Sequence, residues 1–189
     1  MAIRCFFCVE LPEAIKEIIV SRINKFKKRQ PDLKWVRKEA LHITLKFCGE
    51  LEEEKVTRIA GNLRDYLSVH PVERFKIKTV GTGAFPGSLK ARVLWLGIGE
   101  GISSLEKIHW GIEQVLSEEG LKTDRKSLHP HITLARIRNN SRIGSSFLDY
   151  FLEDSAFYCE WEAEKITFME SRLTPAGPEY HPIDLFELK

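Results

Sequence analysis

The alternation of apolar and polar residues divides this chain into a run of strands and helices. Ala2 to Val9 is nearly all apolar and rich in Phe and Ile, which predicts a first strand. Leu11-Pro12-Glu13 then opens a helix, with Pro near the first turn and Glu behind it. Its buried stripe reads Ile15, Ile18, Ile19, Ile23 and Phe26. Lys25, Lys27, Lys28 and Arg29 suit the negative end of the helix dipole, and Pro31 stops the helix. Leu33 to Val36 is a short strand or loop. From Leu41 to Phe47 the period is two: Leu41, Ile43, Leu45 and Phe47 point to a core, while His42, Thr44 and Lys46 point away. Gly49 ends that strand, and the acidic run Glu50 to Glu54 leads into a second helix with the stripe Val56, Ile59, Ala60, Leu63 and Leu67. Phe75, Ile77 and Thr79 alternate as a further strand. Thr79 to Gly87 reads as a glycine-rich loop without the Gly-Lys-Ser/Thr ending of a phosphate loop. Arg92 to Ile98 reads as a strand buried on both faces.

The second half repeats this order. A helix is predicted from Ile102 to Glu118, with Ile102, Leu105, Ile108, Ile112, Val115 and Leu116 inward and Gly120 at its C-cap. A strand from His131 to Ile137 follows, then a short helix from Ser145 to Glu153. Phe157 to Glu170 is one long strand or two joined by a bend. Residues 174–178 form a turn, and Ile183 to Leu188 is the last strand. Helix following strand in each half predicts an α+β fold in which residues 1–189 form a single bilobal domain. It would be a pseudo-two-fold duplication of antiparallel sheets, with helices packed on the outer faces and a central cleft.

Composition narrows the function classes only slightly. Apolar residues make up 43% and charged residues 30%, as in an ordinary globular chain. A net charge of +2 does not announce nucleic acid, although a basic groove can hide in a nearly balanced total. No apolar run is long enough to span a membrane, and the first residues lack a signal-peptide pattern. Cys5 and Cys8 have C-x-x-C spacing, but a strand turns i and i+3 to opposite faces, so the four cysteines read as buried thiols of a cytoplasmic protein.

The chemistry lies in a repeat. His42-Ile43-Thr44-Leu45 recurs as His131-Ile132-Thr133-Leu134, one copy in each half. Each copy presents an imidazole and a hydroxyl side by side on the non-core face of a strand. Two such pairs across a groove suit acid–base chemistry on one phosphoryl group. One neutral imidazole takes a proton from the nucleophile, one imidazolium gives a proton to the leaving oxygen, and the hydroxyls donate to non-bridging oxygens. The scheme requires no metal or cofactor. His129 shares a strand face with His131, so a metal pair is conceivable, but no third ligand stands at suitable spacing. His70, His109 and His181 have no partner that can be named from sequence.

These motifs resemble the two-histidine phosphoesterases. Arg4-Cys5-Phe6-Phe7, Leu11-Pro12, Trp35-Val36, Leu41 to Phe47, Gly83 to Pro86, Arg92 to Gly97, Pro130 to Arg136 and Glu170 to Leu173 occur in the order of the RNA 2′,3′-cyclic phosphodiesterase (2′-5′ RNA ligase-like) branch. Cys48 departs from the larger apolar residue usual there, and Ala91 from a frequent Pro. The resemblance implies a bilobal enzyme that opens RNA 2′,3′-cyclic phosphate ends, tRNA fragments among them, to 2′-phosphates, acting as a monomer without a metal. It implies His42 as proton donor, His131 as base, and Thr44 and Thr133 as phosphate contacts. Arg136 is a further phosphate contact by resemblance, although strand parity sets it opposite His131, so a bulge is required. Joining of RNA ends through 2′-5′ linkages, and a non-catalytic nucleotide- or RNA-binding module, are the alternatives.

Overall fold

The computed structural model describes residues 2–123, 127–138, 143–154, 157–175 and 177–189. In chain order the elements are β1 (Ala2–Glu10), α1 (Glu13–Arg29), β2 (Lys34–Trp35), β3 (His42–Glu52), α2 (Glu53–Val69), β4 (Phe75–Phe85), β5 (Val93–Glu100), α3 (Ile102–Glu118), β6 (His131–Arg136), α4 (Ser145–Leu152), β7 (Glu160–Ala163), β8 (Lys165–Thr174) and β9 (Gly177–Glu187). The strands form one antiparallel sheet in the order β7-β4-β5-β6-β3-β1-β8-β9, with β2 added beside β6. The two lobes are therefore halves of a single sheet, joined where β3 and β6 meet at Ile43 and Ile132.

The halves correspond residue by residue. Val9, Cys8, Phe7 and Phe6 of β1 face Ile43, Thr44, Lys46 and Phe47. Leu96, Trp95, Leu94 and Val93 of β5 face Ile132, Thr133, Ala135 and Arg136. Each motif strand thus carries one extra residue at the same place, Leu45 in β3 and Leu134 in β6. Such a bulge reverses the inward–outward alternation beyond it. Leu45 and Lys46 are buried in succession, as are Leu134 and Ala135. The expectation for Lys46 and Phe47 is overturned for this reason: Lys46 is only 5% exposed, and Phe47 is 62% exposed. The same device supplies the bulge that Arg136 required.

Other expectations shift for physical reasons that lie outside the local pattern. Thr79 to Phe85 of the glycine-rich segment belongs to β4, and only Pro86 and Gly87 lie beyond the strand. A Cβ on Gly83 would lie 2.1 Å from the Trp95 ring, so the missing side chain lets the indole lie across the strand. The partly exposed Val93 and Trp95 show that β5 is not buried on both faces. Phe157 to Glu170 contains two strands that part at Glu164: β7 pairs with β4 at one end of the sheet, and β8 with β1 in the other half. The last strand begins at Gly177 rather than Ile183. Ala176, in the expected turn, lies outside the described residues. Ile18 and Ile102 belong to their helices but are exposed, Ile18 by 49%.

One continuous core joins the helices to the convex face of the sheet and includes Ile19, Phe26, Ile59, Leu105, Ile112 and Phe151 with Phe7, Ile43, Leu94 and Ile132. A small second cluster, Phe6, Cys8 and Met169 with Tyr180 against it, lies apart from that core. The sheet curls, because residues of β6 and β9, separated in it by β3, β1 and β8, line one cleft. Among the described residues no helix is long and apolar enough to cross a membrane.

Candidate active site

The cleft has a volume of about 640 Å³. His42, Thr44, Thr133 and Arg136 line it, so four of the five expected site residues share one cavity. His131 is not among its lining residues. Its ring stands beside the cleft, 5.0 Å from Phe85 and 6.3 Å from Trp95. Because Ile43 lies opposite Ile132 in an antiparallel pair, the register sets His42 toward Thr133 and Thr44 toward His131. The charges of His131 and Arg136 both reach His42 and lower its proton affinity.

Each imidazole is fixed in the same way. The Nδ1–H of His42 donates to the Ala40 carbonyl at 2.9 Å, and that of His131 donates to the His129 carbonyl at 2.7 Å. A carbonyl can only accept, which assigns the proton to Nδ1 and leaves Nε2 as the nitrogen available for chemistry in both rings. Nε2 of His42 then accepts from the Thr44 hydroxyl at 3.0 Å. The His42 ring lies between Phe6 at 5.0 Å and Tyr180 at 5.3 Å, which hold its plane.

Burial pushes the His42 pKa down to about 4, against the Ala40 carbonyl, which favours the cation. His131 is also lowered, chiefly by burial, with the His129 carbonyl opposing. Both rings are therefore neutral at pH 7 when the cleft holds no anion. One asymmetry separates them. Glu10 faces His42 across β1–β3 and favours its charged form, whereas the corresponding position opposite His131 is Gly97.

The cleft is basic. Arg4, Lys34, Arg37, Arg136 and Arg138 line it, and no carboxylate stands among its lining residues. The near-neutral total thus conceals a concentrated positive field suited to a polyanion. Arg37 donates to the Pro178 carbonyl at 2.9 Å and ties the segment after β2 to β9. His129 and His131 lie 6.3 Å apart, and among the described residues no group of three or more His, Cys, Asp or Glu stands together as a metal site would need. Sequence reasoning missed Glu10, Tyr180, Phe6 and the cations from β1 and β2. They reach the motifs through pairing and curling of the sheet, which no local pattern reports.

The motif strand is held from behind as well. The Lys46 ammonium, turned inward by the bulge, lies 2.6 Å from the Glu113 carboxylate of α3. His109, also on α3, hydrogen-bonds through Nδ1 to the Leu45 carbonyl of the bulge at 3.0 Å.

Known proteins resemble this chain over nearly its whole length. An RNA 2′,3′-cyclic phosphodiesterase of Methanocaldococcus jannaschii is 37% identical over 183 residues, covering 95% of this chain and 98% of the relative. One from Aeropyrum pernix is 33% identical over 157 residues, covering 83% and 86%. Among solved structures, E. coli LigT complexed with 3′-AMP superposes with a TM-score of 0.80 at 23% identity, covering 100% and 99%. TT0787 of Thermus thermophilus gives 0.75 at 28% identity, covering 98% and 97%. The model of the 2′-5′ RNA ligase superfamily matches residues 11–174, most of the chain including both His-x-Thr motifs, and the chain belongs to that superfamily.

Proposed function

We propose that this protein hydrolyses RNA 2′,3′-cyclic phosphate ends to 2′-phosphomonoesters by metal-independent two-histidine catalysis. The observation that carries the reading is the pair of His-x-Thr motifs brought into register beside one basic cleft, each imidazole held through Nδ1 with Nε2 left for proton transfer. The names of the relatives supply the substrate class.

In this mechanism the cyclic diester binds with its non-bridging oxygens toward the Thr44 and Thr133 hydroxyls and the Arg136 guanidinium. Neutral His131 removes a proton from a water molecule as its oxygen attacks phosphorus. The P–O3′ bond breaks, and protonated His42 delivers its Nε2 proton to O3′. The product carries a 2′-phosphate and a 3′-hydroxyl, and the two rings have exchanged protonation states, which solvent resets. His42 takes the acid role by resemblance; the Glu10 charge offsets a small part of the burial that disfavours its imidazolium. All chemistry takes place within one 1–189 unit, acting as a monomer, and four free cysteines suit a reducing cytoplasm.

The test is incubation with an oligonucleotide bearing a 2′,3′-cyclic phosphate, with the phosphomonoester identified by ³¹P NMR. The expected product is the 2′-monoester, formed equally well in EDTA. His42→Ala and His131→Ala are each expected to reduce the rate by roughly 10²- to 10⁴-fold. Undiminished activity in both variants, or abolition by chelator with recovery on zinc, would refute the assignment.

A further inference from the structure

Residues 25–38 carry seven cationic side chains and one carboxylate, Asp32. The helix dipole draws cations to the last turn of α1, but its pull fades beyond that turn, and Lys25 and Lys34 lie outside it. Elsewhere on the surface cations meet carboxylates, as in Arg58–Glu119, Arg64–Asp184 and Lys76–Glu160. Lys25, Lys27, Lys28 and Lys34 are exposed, and none of them has an ion-pair partner among the described residues.

The chain after the helix folds back against it and carries these charges to the cleft. The Trp35 ring is stacked 6.3 Å from Phe26, and its indole N–H donates to the Gln30 carbonyl at 3.0 Å. The Arg29 guanidinium is held over the Tyr150 ring of α4 at 3.9 Å. Lys34, next to Trp35, faces Arg136 across β2–β6 and lines the cleft. A basic ridge therefore runs from Arg136 in the cleft, over Lys34, to Lys27 and Lys28 at the end of α1.

We infer that this ridge is an exosite for the RNA strand leading to the reacting end, where Lys27 and Lys28 hold phosphates upstream of the terminal nucleotide. The inference rests on the cyclic phosphodiesterase reading, in which a strand whose end lies in the cleft must leave it over one of its walls. The wall at β2 is the one whose cations continue onto an open surface. The opposite rim offers Leu173, Pro175 and Pro178, which carry no charge. Ammonium groups on such a ridge meet backbone phosphates and not base edges, so they position a strand without reading it. The ligand class is single-stranded RNA of several nucleotides, recognised by length rather than sequence.

The experiment uses the double variant Lys27→Gln/Lys28→Gln, together with the same two positions changed to Arg. The substrates are 2′,3′-cyclic AMP and a single-stranded hexanucleotide ending in a 2′,3′-cyclic phosphate. The Gln pair is expected to leave kcat and KM for cyclic AMP unchanged. It is expected to raise KM for the hexanucleotide by roughly 2- to 30-fold with kcat kept. The slope of log kcat/KM against log salt on the hexanucleotide should become shallower by about 1.4, the share of two single-strand phosphates. The Arg pair should restore both. Equal losses on the two substrates, or no loss on the hexanucleotide, overturn the exosite. If wild type opens neither substrate, the phosphodiesterase reading fails by itself. Fluorescence anisotropy of a labelled hexanucleotide 2′-phosphate, wild type against the Gln pair, then decides the exosite by the same fold-change.

Discussion

On the proposed mechanism, the pH dependence of catalysis follows from two neutral histidines that must share one proton. In the free protein His42 binds its proton only near pH 4, and His131 below its ordinary value. The catalytic form carries a single proton on the pair, so kcat/KM, which reports the free enzyme, is expected to form a bell confined below about pH 6.5. Its limbs belong to the pair rather than to either ring. Binding changes this. A phosphate anion about 4 Å from an imidazolium at an effective dielectric near 20 contributes about 4 kcal/mol. That equals about 3 pKa units, enough to lift His42 from about 4 to about 7. On this mechanism the substrate would charge its own acid catalyst, and kcat is expected to peak up to about three units higher in pH than kcat/KM. Initial rates on 2′,3′-cyclic AMP from pH 4 to 9, at saturating and limiting substrate, measure both profiles. Superimposed profiles, or a kcat/KM that stays level to pH 8, would refute the reasoning.

Three further outcomes are expected. Stability should fall as pH drops from about 6.5 toward 4, because unfolded imidazoles take up protons there while folded His42 does not; the His42 share of the loss is about 3 kcal/mol, read by urea titration at each pH, and His42→Gln should reduce the loss by that amount, leaving the smaller share of His131. Glu113→Gln removes the charge facing Lys46, with both partners at most 5% exposed, and should cost roughly 3–5 kcal/mol, or about 6–20 °C in Tm; a loss under about 1 kcal/mol in chemical denaturation would count against the clamp. Arg136→Gln should lower kcat/KM by roughly 10- to 150-fold through a lost charged hydrogen bond to phosphate, and unchanged kinetics would remove it from the phosphate site.

The repeated His-x-Thr motif was legible because its information is local. Period-two alternation around Ile43 and Ile132 suffices to put two imidazoles and two hydroxyls off the core, and helical spacing recovers α1, α3 and α4 nearly to the residue. What failed depends on partners remote in sequence. Glu113 on α3 accounts for a buried Lys46, Trp95 on β5 accounts for the glycine in β4, and the crossing at Glu164 is set by which strands remain unpaired. The bulges belong to the same class, since an extra residue exists only relative to a neighbouring strand.

The bulges also explain how one short strand can serve the site at both of its ends. With strict alternation, a strand that sends Ile132 and Leu134 inward must also send Arg136 inward, where an unpaired guanidinium cannot be accommodated. One extra residue at Leu134 lets the buried run continue through Ala135 and returns the next side chain to the cleft. The copy at Leu45 does the same for Phe47, at the expense of turning Lys46 inward, and α3 meets that charge with Glu113 and the bulge carbonyl with His109. The second half has Ala135 in place of the lysine and needs no such clamp. A duplicated backbone thus gives both motif strands the same shape, while the residues differing between the copies, Phe47 against Arg136 and Glu10 against Gly97, make the two sides chemically unlike.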